Sequence, residues 1–373
     1  MADKAKNTTE IKEPLVHIVK RGALPWWKSW GIRALAIVAA VVFVGILSYI
    51  VTGATPFKVY RYILEGVFGT ERKLFTFMRS TAVLLIIALA VTPAFKMRFW
   101  NTGAEGQVLI SAYAAVACMF YLGGTVSDGL LILIMFVTSI LAGAIWAVIP
   151  AIFKAVWNTN ETLFTLMMNY IAIQIVRFSI KVWVPGGSGT LNPIPYGNLP
   201  KIAGGDFWLS VIVALVLTVL MYIYLNYSKQ GYEISVVGGS ENTARYIGIN
   251  VKKVIIRSLI LSGIVCGIVG FLLAGGIDHT ISDSTVAGRG FTAILVSWLG
   301  KFNPIFMLFT SALVNFLQQG TAQLMTNIGI GTDFFADVVI GIVFFFIIGS
   351  EFFINYQVKF RKSKSKEGAQ NAR

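Results

Sequence analysis

The sequence predicts an all-α protein that crosses a membrane many times. Hydrophobic residues make up 56% of the 373 residues, and only 13% of the residues are charged. A soluble domain carries about 25% charged residues, and the mean hydropathy of this chain is +0.74. Apolar runs recur along the whole chain, and about 20 apolar residues are enough to span a bilayer. We therefore expect about ten transmembrane elements.

The first half of the chain is predicted to hold five spans. Met1–Arg33 is polar and ends in a cluster of tryptophans, which suit the membrane interface. Because no A-x-A-like cleavage site follows the first apolar run, we expect a permanent span rather than a signal peptide. Thr52–Phe77 is a mixed loop with room for a short interfacial helix. The predicted spans are Ala34–Val51, Ser80–Phe95, a third from Phe99–Gln107 to about Leu122, Gly129–Phe153 and Thr162–Trp183.

The second half is predicted to hold five further elements. It opens after Pro185–Asp206, a Gly- and Pro-rich stretch that is typical of a non-helical loop. One apolar run, Phe291–Gly300, has ten residues and is too short to cross a bilayer alone. Gln318–Thr332 is predicted to be a polar link. The predicted elements are Phe207–Leu225, Leu259–Gly276, Phe291–Gly300, Ile305–Leu317 and Asp333–Phe353.

The positive charges predict the orientation. Ten elements place both termini on one side, and 22 of the 31 Lys and Arg residues lie in the tails and loops of that side. The side richer in Lys and Arg is normally cytoplasmic. We therefore predict a cytoplasmic N-terminal segment (1–33), a transmembrane domain (34–353) and a basic cytoplasmic tail (354–373). This arrangement explains the net charge of +14 by a lipid bilayer rather than by a nucleic-acid partner.

A polar interruption, Tyr227–Arg257 (the coupling loop, 227–257), separates the sixth and seventh spans. Within it Gly238–Gly239 are predicted to be flexible, and Ser240 is a plausible N-cap. Glu241 would lie in the first turn of a short helix, and Gly248 stands where that helix would stop. An ordinary cytoplasmic connector is the alternative.

Two stretches predict an inverted five-plus-five repeat. The third element begins NTGAEGQVLISAY and the eighth begins VAGRGFTAILVSW. Each is a glycine-containing turn that leads into an apolar segment, and elements five apart cross the membrane in opposite directions. Transporters commonly contain such repeats. Chance similarity is the competing explanation.

The densest polar run at a span boundary is Asn101–Gln107. Glu105 and Gln107 would lie at or near membrane depth, where an ionisable residue usually marks a pathway or a paired site. The alternative is structural: Glu105 would then cap its own helix or pair with Lys96 or Arg98.

Further polar residues occur in the later spans. Asn169 and Tyr170 would lie two to three turns inside the fifth span, where the amide would bind either a solute or a neighbouring helix. Gln318 is a candidate solute contact, although a loop boundary explains it equally well. Arg289 would supply a cation at the outer mouth or anchor the chain at the interface.

Signals of enzymatic chemistry are missing from the sequence. There is no G-x-x-x-x-G-K-[ST] or H-E-x-x-H run, so the chain does not bind ATP as a P-loop protein. Cys118 and Cys266 lack metal-ligand spacing, and the two histidines flank different spans. We therefore predict no catalytic residues, no metal site and no cofactor.

Four stretches carry a family resemblance: FWNTGAEGQ, NETLFTLMMNYIA, GYEISVVGGSENTARYIGIN and GRGFTAILVSWLGKFNPI. Together they resemble an ABC-transporter permease of the ribose/branched-chain amino acid type, and most of all the nucleoside-uptake permeases. The resemblance covers roughly Ser80 to Phe353. Trp100 and Thr102 depart from the family's usual F-N-I-G-A-E-G-Q pattern.

The resemblance implies a multi-pass permease of a bacterial plasma membrane. Such a permease pairs with a second, related permease as a heterodimer that encloses a pathway. Two cytoplasmic ATPase subunits dock below, and an extracytoplasmic binding protein delivers the solute. The coupling helix would be Ser240–Ile249. The expected ATPase contacts are Glu241, Asn242, Thr243, Ala244, Arg245 and Tyr246, and the expected pathway residues are Glu105, Gln107, Asn169, Tyr170 and Gln318.

The sequence leaves other functions open. Within the same class, the solute would be ribose, another sugar or a flavin-like heterocycle instead of a nucleoside. A self-contained channel or ion-coupled transporter is a second class, and it differs in needing no separate ATPase. An intramembrane enzyme is disfavoured, because the spans lack paired acidic, histidine or metal-ligand residues.

Overall fold

The computed structural model describes residues 16–22, 24–186, 190–201, 205, 207–328 and 334–360. These residues form thirteen α-helices, one π-helical turn and two short strands. The helices are α1 (Trp26–Thr52), α2 (Pro56–Phe68), α3 (Glu71–Lys96), α4 (Ala104–Leu122), α5 (Asp128–Trp157), α6 (Glu161–Trp183), α7 (Trp208–Tyr227), α8 (Lys229–Gly239), α9 (Glu241–Tyr246), α10 (Val251–Leu273), α11 (Arg289–Leu299), α12 (Pro304–Ile328) and α13 (Phe334–Asn355). The π-helical turn is Ala274–Asp278, and the strands are β1 (Val16–Lys20) and β2 (Tyr356–Phe360).

The predicted class is confirmed. Within the described part of the chain, eight helices are long and apolar enough to cross a membrane. The short helix α11 and the more polar helix α12 complete the ten predicted elements. The described part of the loop predicted at Pro185–Asp206 is free of helix. The ends of segments 1–33 and 354–373 lie outside the described residues.

The larger of two compact units is Tyr62–Leu324. At its centre α10 packs against α3, α4 and α5. Small residues permit this close packing, because a methyl group at Gly263 would come 2.3 Å from the carbonyl oxygen of Gly143. A methyl group at Gly267 would come 2.6 Å from Cα of Ile140. Helices in membranes associate in this way through small residues that let their backbones approach.

The second unit, Met1–Arg61 with Met325–Arg373, joins the two ends of the chain. Here α1 packs against α13, and Arg33 forms an ion pair with Glu351 (2.8 Å). The strands β1 and β2 pair antiparallel from Val16 opposite Phe360 to Lys20 opposite Tyr356. The sequence did not predict these strands, because each has five residues and its partner lies at the other end of the chain.

The region between the first two predicted spans is more helical than the sequence suggested. The expected interfacial helix is present as α2, and α3 begins at Glu71 rather than at Ser80. The side chain of Thr70 accepts a hydrogen bond from the amide of Lys73 (3.3 Å) and caps this earlier start. Because the first turns of α3 contain charged residues, the apolar runs of the sequence did not indicate that the helix begins there.

The predicted polar link Gln318–Thr332 is wrong as far as Ile328, because α12 continues through it. Nε2 of Gln319 donates hydrogen bonds to the carbonyl oxygens of Gly66 and Lys73, both at 3.0 Å. Gln319, one of the polar residues of this stretch, therefore satisfies backbone carbonyl groups of neighbouring segments. Residues 329–333 lie outside the described part.

Candidate functional site

Helix α4 begins inside the protein, and residues 103–112 are all buried. The first N–H groups of a helix have no partner within it, and a site without water cannot hydrate them. Oδ1 of Asn101 accepts from the amide of Gly103 (3.0 Å), and Oδ1 of Asn169 accepts from the amide of Gly106 (2.8 Å). Nδ2 of Asn169 also donates to the carbonyl of Thr102 (2.9 Å). Both ends of the Asn169 amide thus hold α6 against the start of α4.

Gln107 extends this network to α10. Its Oε1 accepts from the hydroxyl of Ser262 (3.2 Å), and its Nε2 donates to Oδ1 of Asn101 (3.4 Å). Asn101 in turn donates to Ser262 (3.3 Å). The three side chains are buried and form a closed polar cluster between α4 and α10. Such a cluster avoids the penalty of unpaired polar groups in an apolar interior.

Glu105 binds the start of a second helix that begins inside the protein. Its Oε1 accepts from the amide of Gly288 (2.8 Å), and its Oε2 accepts from the amide of Gly290 (2.7 Å). These amides belong to the N-terminus of α11, where a negative charge is stabilised by the helix dipole. The structural alternative to a pathway role, from the sequence, was that Glu105 would cap its own helix or pair with Lys96 or Arg98. The carboxylate instead caps α11.

Arg289 lies beside this capping site, and its place at the outer mouth or at the membrane interface stays a prediction. Arg289 is the first residue of α11, between the two glycines that bind the carboxylate. It is close enough to Glu105 and Asp278 to interact with their charges. Because α11 has 11 residues, it is about 16 Å long at 1.5 Å per residue, which is about half of a bilayer core. Helices α4 and α11 therefore meet at their N-termini, beside Glu105.

The five predicted pathway residues fall into two groups. Glu105, Gln107 and Asn169 are buried and belong to the two helix starts, with Asn169 only 3% exposed. Tyr170 follows Asn169 directly but points away, and it is 56% exposed. Gln318 lies on α12, is partly exposed and makes no hydrogen bond within the described part of the chain. Solute contact by all five residues stays a prediction.

Gln174, which was not among the predicted pathway residues, lies on the exposed face of α6, one turn beyond Tyr170. The available signal was an amide within an apolar span.

The predicted short helix in the coupling loop is confirmed as α9. Oγ of Ser240 accepts from the amide of Thr243 (3.3 Å), and Gly248 follows the helix with a positive φ of 84°. A second helix, α8, precedes it and was not predicted. Gly238 and Gly239 are the last residues of α8, so the prediction that they are flexible is wrong.

Tight contacts join the α8–α9 pair to the spans. A methyl group at Gly238 would lie 2.1 Å from the carbonyl oxygen of Lys96, at the end of α3. Glu233 on α8 forms an ion pair with Arg257 on α10 (2.6 Å). Ala244 of α9 is fully buried. These contacts connect the α8–α9 pair to α3 and α10.

The face of α9 opposite to Ala244 is exposed. Tyr246 is 92% exposed, and Ile247 beside it is also exposed. Glu241 and Arg245 form an exposed ion pair one turn apart (3.3 Å). Of the six expected ATPase contacts, Ala244 is buried and fixes the helix. The other five are exposed and offer one aromatic, two charged and two uncharged polar side chains. Contact with an ATPase stays a prediction.

Similarity to known proteins shows the family of this chain. Residues 73–348 match the family described as the permease component of the branched-chain amino acid transport system, so the chain belongs to that family. It is 28% identical to the guanosine ABC transporter permease protein NupP of Bacillus subtilis, over 88% of this chain and 94% of that protein. It is 25% identical to the glucose ABC transporter permease protein TsgB13 of Haloferax volcanii, over 91% and 92%. No solved structure matches it.

A further relative is the guanosine ABC transporter permease protein NupQ of Bacillus subtilis, which is 27% identical over 69% of this chain and 82% of that protein. The chain is therefore an ABC-transporter permease, a transport subunit rather than an enzyme, and a multi-pass protein of the plasma membrane. Membership of this family implies separate ATPase subunits and a solute-binding protein as partners.

Proposed function

We propose that this chain is the transmembrane permease subunit of an ABC importer that translocates nucleosides. The similarity to a guanosine permease protein over nearly the full length of both chains carries the proposal. In this proposal an extracytoplasmic binding protein delivers the solute, and separate ATPase subunits supply the energy. No P-loop occurs in the sequence, which agrees with an external source of energy.

The second subunit in the proposal is a related permease rather than another copy of this chain. Two different relatives from one organism, NupP and NupQ, are both named as guanosine permease proteins. This pairing of names supports a heterodimer. The solute pathway would then lie between the two permeases, bordered in this chain by Tyr170 and Gln318.

The buried residues have a positioning role in this proposal. Asn169 and Gln107 hold the start of α4, and Glu105 holds the start of α11. Broken helices surround the solute sites of many transporters in a comparable way.

The α8–α9 pair is proposed to receive the movement of the ATPase. Tyr246 suits the role of an anchor, because aromatic residues dominate the binding energy at many protein interfaces. The tight contact of Gly238 with the end of α3 and the ion pair of Glu233 with α10 would carry the movement into the spans. A coupled transporter needs such a link between two sites that bias one conformational equilibrium.

Uptake measurements test the proposed solute. Cells that contain this chain are compared with cells that lack it, using labelled guanosine and an excess of unlabelled competitor. We expect uptake that depends on the chain, that other nucleosides inhibit and that glucose or ribose does not. Uptake of labelled glucose that depends on the chain, without uptake of guanosine, would contradict the nucleoside assignment.

A sugar is the second candidate solute. The similarity to a glucose permease protein over 91% of this chain favours it. The same uptake experiment separates the two, because labelled ribose and glucose are measured beside guanosine. A channel or ion-coupled transporter would move solute in liposomes that contain this chain alone.

A further inference from the structure

Asp278 and Arg289 are two partly buried charged residues of the larger unit. Asp278 is the last residue of the π-helical turn that continues α10, and Arg289 is the first residue of α11. Within the described part of the chain, neither side chain makes a hydrogen bond or a direct ion pair. Because charged side chains are seldom buried without a partner, the residues around them must balance these two charges.

The charges around Asp278 and Arg289 come from four elements. The groups whose charges act on Arg289 are Asp278, Glu105 on α4 and Arg79 on α3. Those that act on Asp278 are Arg289, Arg79 and the neighbouring His279. With the histidine counted as neutral, two arginines stand against two carboxylates, and the charges balance. We call Arg79, Glu105, Asp278 and Arg289 the charge cluster.

The fold itself brings the charge cluster together. Helix α11 packs against α3 and α4, and the π-helical turn packs against α4. The connection between the turn and α11 is folded back on itself. In it the amide of Thr285 donates to the carbonyl of Ser282 (3.2 Å), and the amide of Arg289 donates to the carbonyl of Val286 (3.1 Å). Asp278 and Arg289 are therefore held at defined places near each other.

Asp278 is the carboxylate that can balance Arg289. Glu105 already uses both carboxylate oxygens to accept from the amides of Gly288 and Gly290. The carboxylate of Asp278 accepts no hydrogen bond from any residue that the structure describes. Removal of one member of a buried charge pair leaves the other uncompensated, and this is far more destabilising than removal of both.

The charge cluster also lies on the two spans that the α8–α9 pair contacts. Gly238 packs against the end of α3, and Glu233 is paired with Arg257 near the start of α10. Arg79 lies in the opposite half of α3, and Asp278 ends the span that α10 begins. Helices α3 and α10 therefore contact the α8–α9 pair near one end and carry members of the charge cluster toward the other.

We infer that Arg289 and Asp278 are a positioning pair, whose balanced charges hold the start of α11 beside the end of the α10 span in the arrangement that transport requires. Both residues act through the position of α11 and do not contact the solute. Because the guanidinium of Arg289 makes no hydrogen bond within the described part of the chain, its charge is what matters. The inference goes beyond the proposed function, since it concerns any solute that this permease carries.

The test compares variants of this pair in the complete transporter, with a solute that the wild-type transporter takes up. We expect Arg289→Gln and Asp278→Asn each to lower the maximal rate of uptake at least about tenfold, because one charge is left unbalanced. KM should change by less than about twofold, because an interaction that the solute does not make is lost.

Two further variants separate balance of charge from other roles. The double variant Asp278→Asn with Arg289→Gln should recover uptake to within about threefold of wild type, because neighbouring sites that act as a pair are not additive. Arg289→Lys keeps the charge and should behave as wild type. If Arg289→Gln does not assemble, the amount of purified complex becomes the measured quantity, and the double variant should restore it.

The control is the exposed ion pair of Arg177 with Asp283 (2.6 Å). Arg177→Gln and Asp283→Asn should each leave uptake within about twofold of wild type, because exposed ion pairs contribute little. A double variant in which the two losses multiply, or an Arg289→Lys variant as defective as Arg289→Gln, would overturn the inference. Wild-type uptake of glucose without guanosine would instead refute the proposed function, and the pair is then tested with glucose.

Discussion

Asn169 and Tyr170 are adjacent in the chain but serve opposite sides of α6. The side-chain amide of Asn169 is hydrogen-bonded to the start of α4, whereas the ring of Tyr170 is exposed. The sequence could identify both as polar or aromatic residues within a span. It could not assign their sides, because the packing of α4 against α6 decides which face of α6 is buried.

Glu105 is a second residue whose contacts could not be predicted from the sequence. A carboxylate beside two glycines indicated a structured site near membrane depth, and that expectation agrees with its burial at 8% exposure. Its partner amides lie 183 and 185 residues further along the chain. No local pattern joins residues so far apart. Only the tertiary fold brings the two helix starts together.

Replacement of Glu105 by alanine should destabilise the protein and reduce transport. The change leaves the amides of Gly288 and Gly290 without an acceptor in a buried site, and each such loss costs about 1–3 kcal/mol. Thermal unfolding of the purified protein and solute uptake would measure the two effects. The control is Glu71→Ala, because Glu71 is an exposed carboxylate in the first turn of α3. Equal unfolding temperatures for wild type and Glu105→Ala would refute the capping role.

At the scale of elements, apolar runs located the spans well and their ends poorly. Helix α3 starts nine residues before the predicted Ser80, and α12 continues through the predicted polar link. In both places polar side chains are bonded to backbone groups, as Thr70 and Gln319 are. When polar residues are taken as a sign of a loop, the predicted helix is therefore too short at such ends.

The α8–α9 pair combines a predicted part and an unpredicted part. Ser240, Glu241 and Gly248 carry the local capping signals of α9, and local signals can be read from the sequence. The attachment of α8 to α3 depends on contact between Gly238 and Lys96, which lie far apart in the chain. Sequence alone therefore identified the helix but not how it is held.

Gly238→Ala and Gly239→Ala form a matched pair that tests this attachment. A methyl group at Gly238 meets the carbonyl oxygen of Lys96 at 2.1 Å, whereas a methyl group at Gly239 has nothing within 4 Å. We expect Gly238→Ala to separate α8 from α3 and to reduce uptake several-fold, and Gly239→Ala to behave as wild type. Uptake and thermal stability should be measured for both. Equal behaviour of the two variants would contradict transmission through this contact.

The exposed face of α9 makes a separate prediction. In the complete transporter, Tyr246→Ala should lower solute uptake at least tenfold while ATP hydrolysis continues, because the anchor to the ATPase is lost. ATP hydrolysis and uptake are measured on the same preparation of proteoliposomes. Tyr232→Ala, on the exposed surface of α8, is the comparison variant. If it causes the same loss, the contact is not confined to α9.

For the whole molecule, composition was sufficient to predict an all-α membrane protein, and motifs were sufficient to indicate its family. Both conclusions rest on properties spread over the entire chain, so single errors at helix ends did not affect them. The inverted repeat and the cytoplasmic termini stay predictions. The strand pair β1–β2 was missed, since it joins residues more than 300 positions apart.

The proposed division of work between subunits makes the most general prediction. In this proposal the chain supplies half of a pathway and a docking helix, and hydrolysis of ATP takes place on other subunits. Transport should therefore fail when any subunit is omitted. A channel or an ion-coupled transporter would not show this dependence.

Uptake by reconstituted proteoliposomes tests this claim most directly. Vesicles carry this permease, the second permease and the ATPase subunits, with the binding protein and labelled guanosine outside and ATP inside. We predict accumulation of guanosine that requires ATP and stops when the ATPase subunits are left out. Accumulation of guanosine by vesicles that contain this chain alone, without ATP, would contradict the account.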